Sequence, residues 1–93
     1  MAKFVIKKDG AKEPFDPEKI KRGLFGAAKK ANLSQERINE VVQQVSDVVM
    51  QLAEGKEEIP TTEIRDKILS ELDIIEPSIS EGWRQYQKEK VKI

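Results

Sequence analysis

Ninety-three residues, 38% apolar and 37% charged, are enough for one small domain with one core and too few for two. With neither cysteine nor histidine, the chain carries no zinc ribbon, disulfide, thiol nucleophile or imidazole acid–base group. No apolar run approaches the ~20 residues of a membrane helix and the start has no secretory apolar region, so a cytoplasmic protein without membrane contact is expected.

Charge balances overall, 17 basic against 17 acidic side chains, but not along the chain. Residues 1–30 hold nine Lys/Arg against four Asp/Glu, a local +5, and residues 31–93 hold eight against thirteen, a local −5. A basic first third attracts a small anion locally, whereas a net charge of zero gives the whole chain no general affinity for nucleic acid. Nucleic acid is therefore not expected as a partner within this chain.

Phe4-Val5-Ile6 is apolar and β-prone, and Asp9-Gly10 is a strong hairpin signal, because glycine tolerates the positive φ of such turns. Lys12-Glu13 is the return strand and Pro14, which has no N–H for a ladder, ends it. Asp16 offers its carboxylate to the free amides of a first helix, with Pro17 at the first helical position. That helix is expected to run to Ala31, burying Ile20, Leu24, Ala27, Ala28 and Ala31. Gly23 and Gly26 inside it each cost about 1 kcal/mol against alanine. Close approach of a helix or ligand, or simple tolerance, accounts for them equally.

Ser34 caps a second helix whose stripe is Ile38, Val41, Val42, Val45, Val48, Val49 and Leu52, with Gly55 as its stop. Residues 57–59 form a short extended piece, kept out of helix by Pro60, and are the natural third strand for the hairpin. Thr61 is the expected cap of a third helix burying Ile64, Ile68, Leu69 and Leu72. Asp73 and Pro77 bracket a break, and a fourth helix from Pro77 to Lys90 buries Ile79, Trp83 and Tyr86 before a basic end at Lys88, Lys90 and Lys92. The expected class is α+β: a four-helix bundle capped at one end by a small three-stranded sheet. The whole of 1–93 is one domain, with 1–15 as hairpin cap and 16–93 as helical bundle.

No Walker loop, Ser–His–Asp set or metal-ligand set is present, and Glu57-Glu58 reads as solvated charge, so no enzyme is expected. A phosphate site is easier to build. If residues 58–59 join the sheet, the hairpin and the starts of helices 1 and 3 converge. Two positive helix ends then stand beside Lys7, Lys8 and Lys19. Read without further context, Val5, Ile20 and Ile64 are core residues, Lys12 and Lys21 are solvated, and Asp16 and Thr61 are caps first.

The run Val5-Ile6-Lys7-Lys8-Asp9-Gly10, then Glu13-Pro14-Phe15-Asp16, then Lys19-Ile20, resembles the opening motif of the ATP-cone domain. The resemblance continues through Glu58-Ile59-Pro60-Thr61-Thr62-Glu63-Ile64 and ends near Trp83-Arg84-Gln85-Tyr86-Gln87-Lys88. ATP-cones are the nucleotide-binding regulatory domains of many ribonucleotide reductase large subunits and of related repressors. The resemblance implies that Val5, Phe15, Ile20 and Ile64 wall the base or sugar, and that Glu13 and Asp16 hydrogen-bond the base. It further implies that Lys7, Lys8, Lys19, Arg65 and Thr61 hold phosphates, with Lys88 completing the site from the last helix and Lys90 as its neighbour in a loose alignment.

The implied ligand is ATP or dATP with Mg²⁺, bound without turnover, and the implied output is control of a reductase or related protein partner or of a homo-oligomer. A scaffold domain that kept the fold and lost the ligand is the competing reading. Retention of Lys7, Lys8, Glu13, Asp16, Lys19 and Thr61 counts against it. A nucleic-acid-binding domain using the basic first third ranks third, since the charge balance and the lack of a recognition-helix pattern oppose it.

Overall fold

The computed structural model describes residues 3–90, with side chains through Gln85. Three short strands, β1 (Phe4–Ile6), β2 (Lys12–Pro14) and β3 (Glu58–Pro60), accompany four helices: α1 (Pro17–Ala28), α2 (Gln35–Ala53), α3 (Thr61–Ile75) and α4 (Pro77–Lys90). The class is α+β, as expected.

The hairpin turns where Asp9-Gly10 directs it. Gly10 has φ +88°, the Asp9 carboxylate accepts from the Ala11 amide at 2.9 Å, and the Lys7 amide donates to the Ala11 carbonyl at 2.9 Å. Sheet order is β2-β1-β3, with β1 and β2 antiparallel and β1 and β3 parallel. Pro14 thus lies on an edge strand, where its missing amide costs no ladder bond. Val5 stands opposite Glu13 on one side and Ile59 on the other. That row marks the face turned toward the helices: Ile59 is fully buried, and Val5 packs on the core.

Asp16 caps α1, its carboxylate accepting from the Glu18 amide at 3.0 Å, and Pro17 follows at the start of the helix. The helix ends at Ala28, three residues before the expected Ala31. Tight bonds from the Lys29 amide to the Gly26 carbonyl and from Ala31 to Ala28 satisfy the last carbonyls and break the α pattern there. Ser34 caps α2 as expected, accepting from the Arg37 amide at 3.1 Å. Val41, Val42, Val45, Val49 and Ala53 form its buried stripe, and Gly55, at φ +85°, turns the chain away.

Two boundaries depart from expectation. Thr61 is not the cap of α3 but its first helical residue. The cap position belongs to Pro60, which has extended dihedrals and no side-chain bond to offer. The reason is topological: Pro60 is still paired with Ile6 in the sheet, so strand passes into helix with no intervening residue. Asp73 does not border a break either, because α3 continues to Ile75 and only Glu76 separates it from α4. Pro77 forces Glu76 out of helical geometry.

That junction is clasped from α2. Arg37 donates through Nε to Glu76 at 3.0 Å and through Nη2 to the Ile75 carbonyl at 3.0 Å. The bond to Glu76, with a smaller contribution from Glu40, raises the Arg37 pKa above its ordinary value.

The helices touch in cyclic order, α1 on α2, α2 on α3, α3 on α4 and α4 back on α1. Leu24, Ala28, Val45, Ile59, Ile68, Leu72 and Ile79 are among the core residues they enclose. The α1–α4 contact is the closest. A Cβ at Gly82 would stand 2.1 Å from the Ala27 carbonyl oxygen, so the two backbones approach to a distance that only glycine permits. Among the expected core residues, Ile79 and Trp83 are buried, whereas Tyr86 lies outside the described side chains.

Gly82→Ala should therefore destabilise the fold by about 1–3 kcal/mol through overpacking, although alanine is the better helix former by about 1 kcal/mol. Denaturant unfolding of the two chains measures this. Equal or greater stability of the variant would disprove the tight α1–α4 seam.

Candidate functional site

A cleft of about 350 Å³ opens where the sheet, α1, α3 and α4 meet. The volume lies within the roughly 300–1,000 Å³ of small-molecule pockets. Strand pleating directs Val5 and Lys7 from the β1 side and Glu13 and Phe15 from the β2 side into it, since alternate residues share a face. Asp16, Lys19, Ile20 and Gly23 contribute from the first turns of α1, and Thr61, Ile64, Arg65 and Ile68 from the first turns of α3. Helical spacing explains both sets, with Lys19–Gly23, Thr61–Arg65 and Ile64–Ile68 each four residues apart on one face.

Ten of the twelve residues singled out from sequence thus line one cleft: Val5, Lys7, Glu13, Phe15, Asp16, Lys19, Ile20, Thr61, Ile64 and Arg65. Lys8 does not line it. It follows Lys7 into the exposed β1–β2 turn, beyond the end of β1 at Ile6. The Lys88 and Lys90 side chains lie outside the described residues.

Pro14, Gly23, Ile68 and Trp83 also line the cleft, and none was assigned to a site from sequence. Ile68 was recoverable, since it repeats Ile64 one turn on. Trp83 was read as core, and at 5% exposure it is core. It reaches the cleft because α4 packs so close to α1 behind it. Gly23 adds no side-chain volume to the α1 wall.

The electrostatics are mixed. Glu13 accepts from Lys7 Nζ at 3.4 Å through Oε2, and its Oε1 lies 3.7 Å from Lys19 Nζ. Asp16 is already engaged, one oxygen capping α1 and the other 4.0 Å from Arg22. Arg65 has no carboxylate within ion-pair distance among the described residues. The start of α3 has no side-chain cap, so its first amides are free of side-chain acceptors where Thr61 meets the cleft. Three cations, two carboxylates and an uncapped helix start suit an anionic ligand, and the apolar wall of Val5, Phe15, Ile20, Ile64 and Trp83 suits a flat ring.

Lys12 lies apart, its ammonium paired with Glu58 and 5.7 Å from the Phe4 ring centroid. The bond to Glu58 raises its pKa. Among the described residues no three acidic side chains gather where they would hold a metal ion. No helix among those residues is long and apolar enough to cross a membrane.

Residues 3–90 match the family described as the ATP cone domain. The chain is 40% identical over 69 residues to the transcriptional repressor NrdR of Listeria welshimeri, an overlap of 74% of this chain and 44% of the relative. For the NrdR repressor of Bdellovibrio bacteriovorus the identity is 41% over 69 residues, covering 74% and 34%. For that of Rhodopirellula baltica it is 40% over 68 residues, covering 73% and 42%. The chain spans under half the length of these relatives.

The comparisons correct one expectation. A net charge of zero argues against nucleic acid as a partner, yet the relatives are transcriptional repressors, which act on DNA. Net charge reports only the summed field of these 93 residues, and the chain spans under half the length of those relatives. The ATP cone is a regulatory domain, not a catalytic one.

Trp83 is the only tryptophan, so a ligand seated in the cleft should quench or shift its emission. Unchanged emission at saturating ligand would place the ligand elsewhere.

Proposed function

This chain belongs to the ATP-cone family, and we propose that it binds ATP or dATP in the cleft as a regulatory signal, without turning the nucleotide over. The observation that carries this reading is the convergence of Lys7, Lys19, Arg65 and the uncapped start of α3 with an apolar wall in one cleft. In this reading Val5, Phe15, Ile20 and Ile64 wall the base or sugar, with Trp83 and Ile68 beneath them. Glu13 and the spare lone pairs of Asp16 accept from the base. Lys7, Lys19, Arg65, Thr61 and the first amides of α3 hold phosphate oxygens, each charge-assisted bond being stronger than its neutral counterpart. Mg²⁺, where bound, would be held chiefly by the ligand's phosphates, since no three acidic side chains gather to hold a metal ion among the described residues.

The signal leaves the cleft through the elements that form it. The sheet caps a four-helix bundle, and a ligand bridging β1, α1 and α3 changes how firmly that cap is held. In a cytoplasmic protein this alters a surface used by a second copy or by a protein partner. The relatives support control of transcription as the regulated output, with a ribonucleotide reductase or its genes as the target that ATP-cone membership suggests.

Isothermal titration with ATP and dATP in Mg²⁺, with GTP as control, tests the reading. Saturable binding of adenine nucleotides without phosphate release is expected; absence of binding at millimolar ligand would favour the scaffold alternative. Lys7→Ala and Lys19→Ala should each weaken ATP roughly tenfold while leaving adenosine nearly unchanged. Equal losses for both ligands would remove these lysines from the phosphate site.

A further inference from the structure

We infer that Glu13 is an exchangeable internal counter-ion, which holds Lys7 and Lys19 between ligands and thereby selects nucleotides against bare polyphosphate. The inference rests on the nucleotide reading of the cleft and concerns the ion pairs that these two lysines make. Glu13 sits at the centre of β2, opposite Val5, on the face turned toward the helices. Each of its carboxylate oxygens serves a different lysine, Oε2 that of the strand side at 3.4 Å and Oε1 that of α1 at 3.7 Å. Among the described residues no other carboxylate lies within 4.0 Å of either ammonium.

The pairs are built to be broken. Their side chains are 36% exposed at Lys7, 40% at Glu13 and 70% at Lys19, so water competes for every partner and the pairing is weak. A phosphate entering the cleft brings more charge to the same two ammoniums and displaces the carboxylate from them. The displaced carboxylate then faces phosphate oxygens and needs a donor of its own. A nucleotide with an exocyclic amine on its base supplies one, whereas inorganic tripolyphosphate supplies none and leaves like charges opposed. Glu13 therefore lowers affinity for any polyphosphate and returns part of that loss only to a ligand that carries a hydrogen-bond donor.

Tripolyphosphate and ATP binding to the full chain, to Glu13→Gln and to Glu18→Gln tests this. Glu18 is a matched control: its loss changes total charge equally, but its side chain lies outside the cleft, 4.0 Å from Lys21. Glu13→Gln should bind tripolyphosphate on the order of fivefold tighter, with a smaller gain or a loss for ATP, and Glu18→Gln should match wild type. An unchanged or weakened tripolyphosphate affinity in a folded Glu13→Gln, or an equal gain in Glu18→Gln, overturns the counter-ion role. A wild-type chain that binds neither ligand overturns the nucleotide reading itself, and this inference with it. A second readout needs no variant. Titrating wild type with tripolyphosphate should move the Glu13 carboxyl carbon resonance together with the Lys7 and Lys19 side-chain signals. Shifted lysines beside an unmoved Glu13 would show that no exchange occurs.

Discussion

How near α4 can come to α1 governs most of what the cleft is. At Gly82 the two backbones meet at a distance that excludes even a methyl group, and one residue later Trp83 arrives between the helices, buried and facing the cleft. A wider seam would withdraw the indole and open the floor between Ile20, Gly23 and Ile68. The same helix pair carries the first turn of α1, so the Asp16 cap and the Lys19 ammonium inherit their placement from it. Packing interiors are dense and respond to a single methylene, and a seam of this kind is an unforgiving foundation.

A second constraint comes from the parallel pairing of β3 with β1. Ile59 is drawn into the core, and the chain enters α3 directly from the strand, leaving a proline where a side-chain cap would stand. A capped helix would have its first amides satisfied already; this one offers them at the cleft. Apolar burial sets the shape, at roughly 25 cal/mol per Å² removed from water. The exposed ion pairs, worth about 0–1 kcal/mol each, set only the charge that a ligand meets.

Much of this was legible in the residues. Asp9-Gly10, Asp16-Pro17 and Ser34 carry their local instructions in side-chain chemistry, and each element they predict is found. Helical spacing likewise revealed the stripes of α2 and α3. What escaped reading depends on contacts distant in sequence. Thr61 looks like a cap until Pro60 is seen to pair with Ile6. Ala31 looks helical until tight bonds end α1 at Ala28. Lys8 resembles its neighbour in type, but it stands in the exposed hairpin turn whereas Lys7 lines the cleft. Gly82 and Trp83 gave no sign of their part in the cleft, because nothing local marks a helix crossing.

Membership in the ATP-cone family and likeness to transcriptional repressors give the cleft its biological setting, while its chemistry rests on the geometry. The proposed adenine-nucleotide site is the space between β1, α1, α3 and α4. Mapping amide and indole chemical shifts during an ATP titration tests it most directly. Perturbations concentrated at Val5–Lys7, Glu13–Ile20, Thr61–Ile68 and the Trp83 indole are predicted. Perturbations centred on the α2 surface, with these positions unmoved, would contradict it.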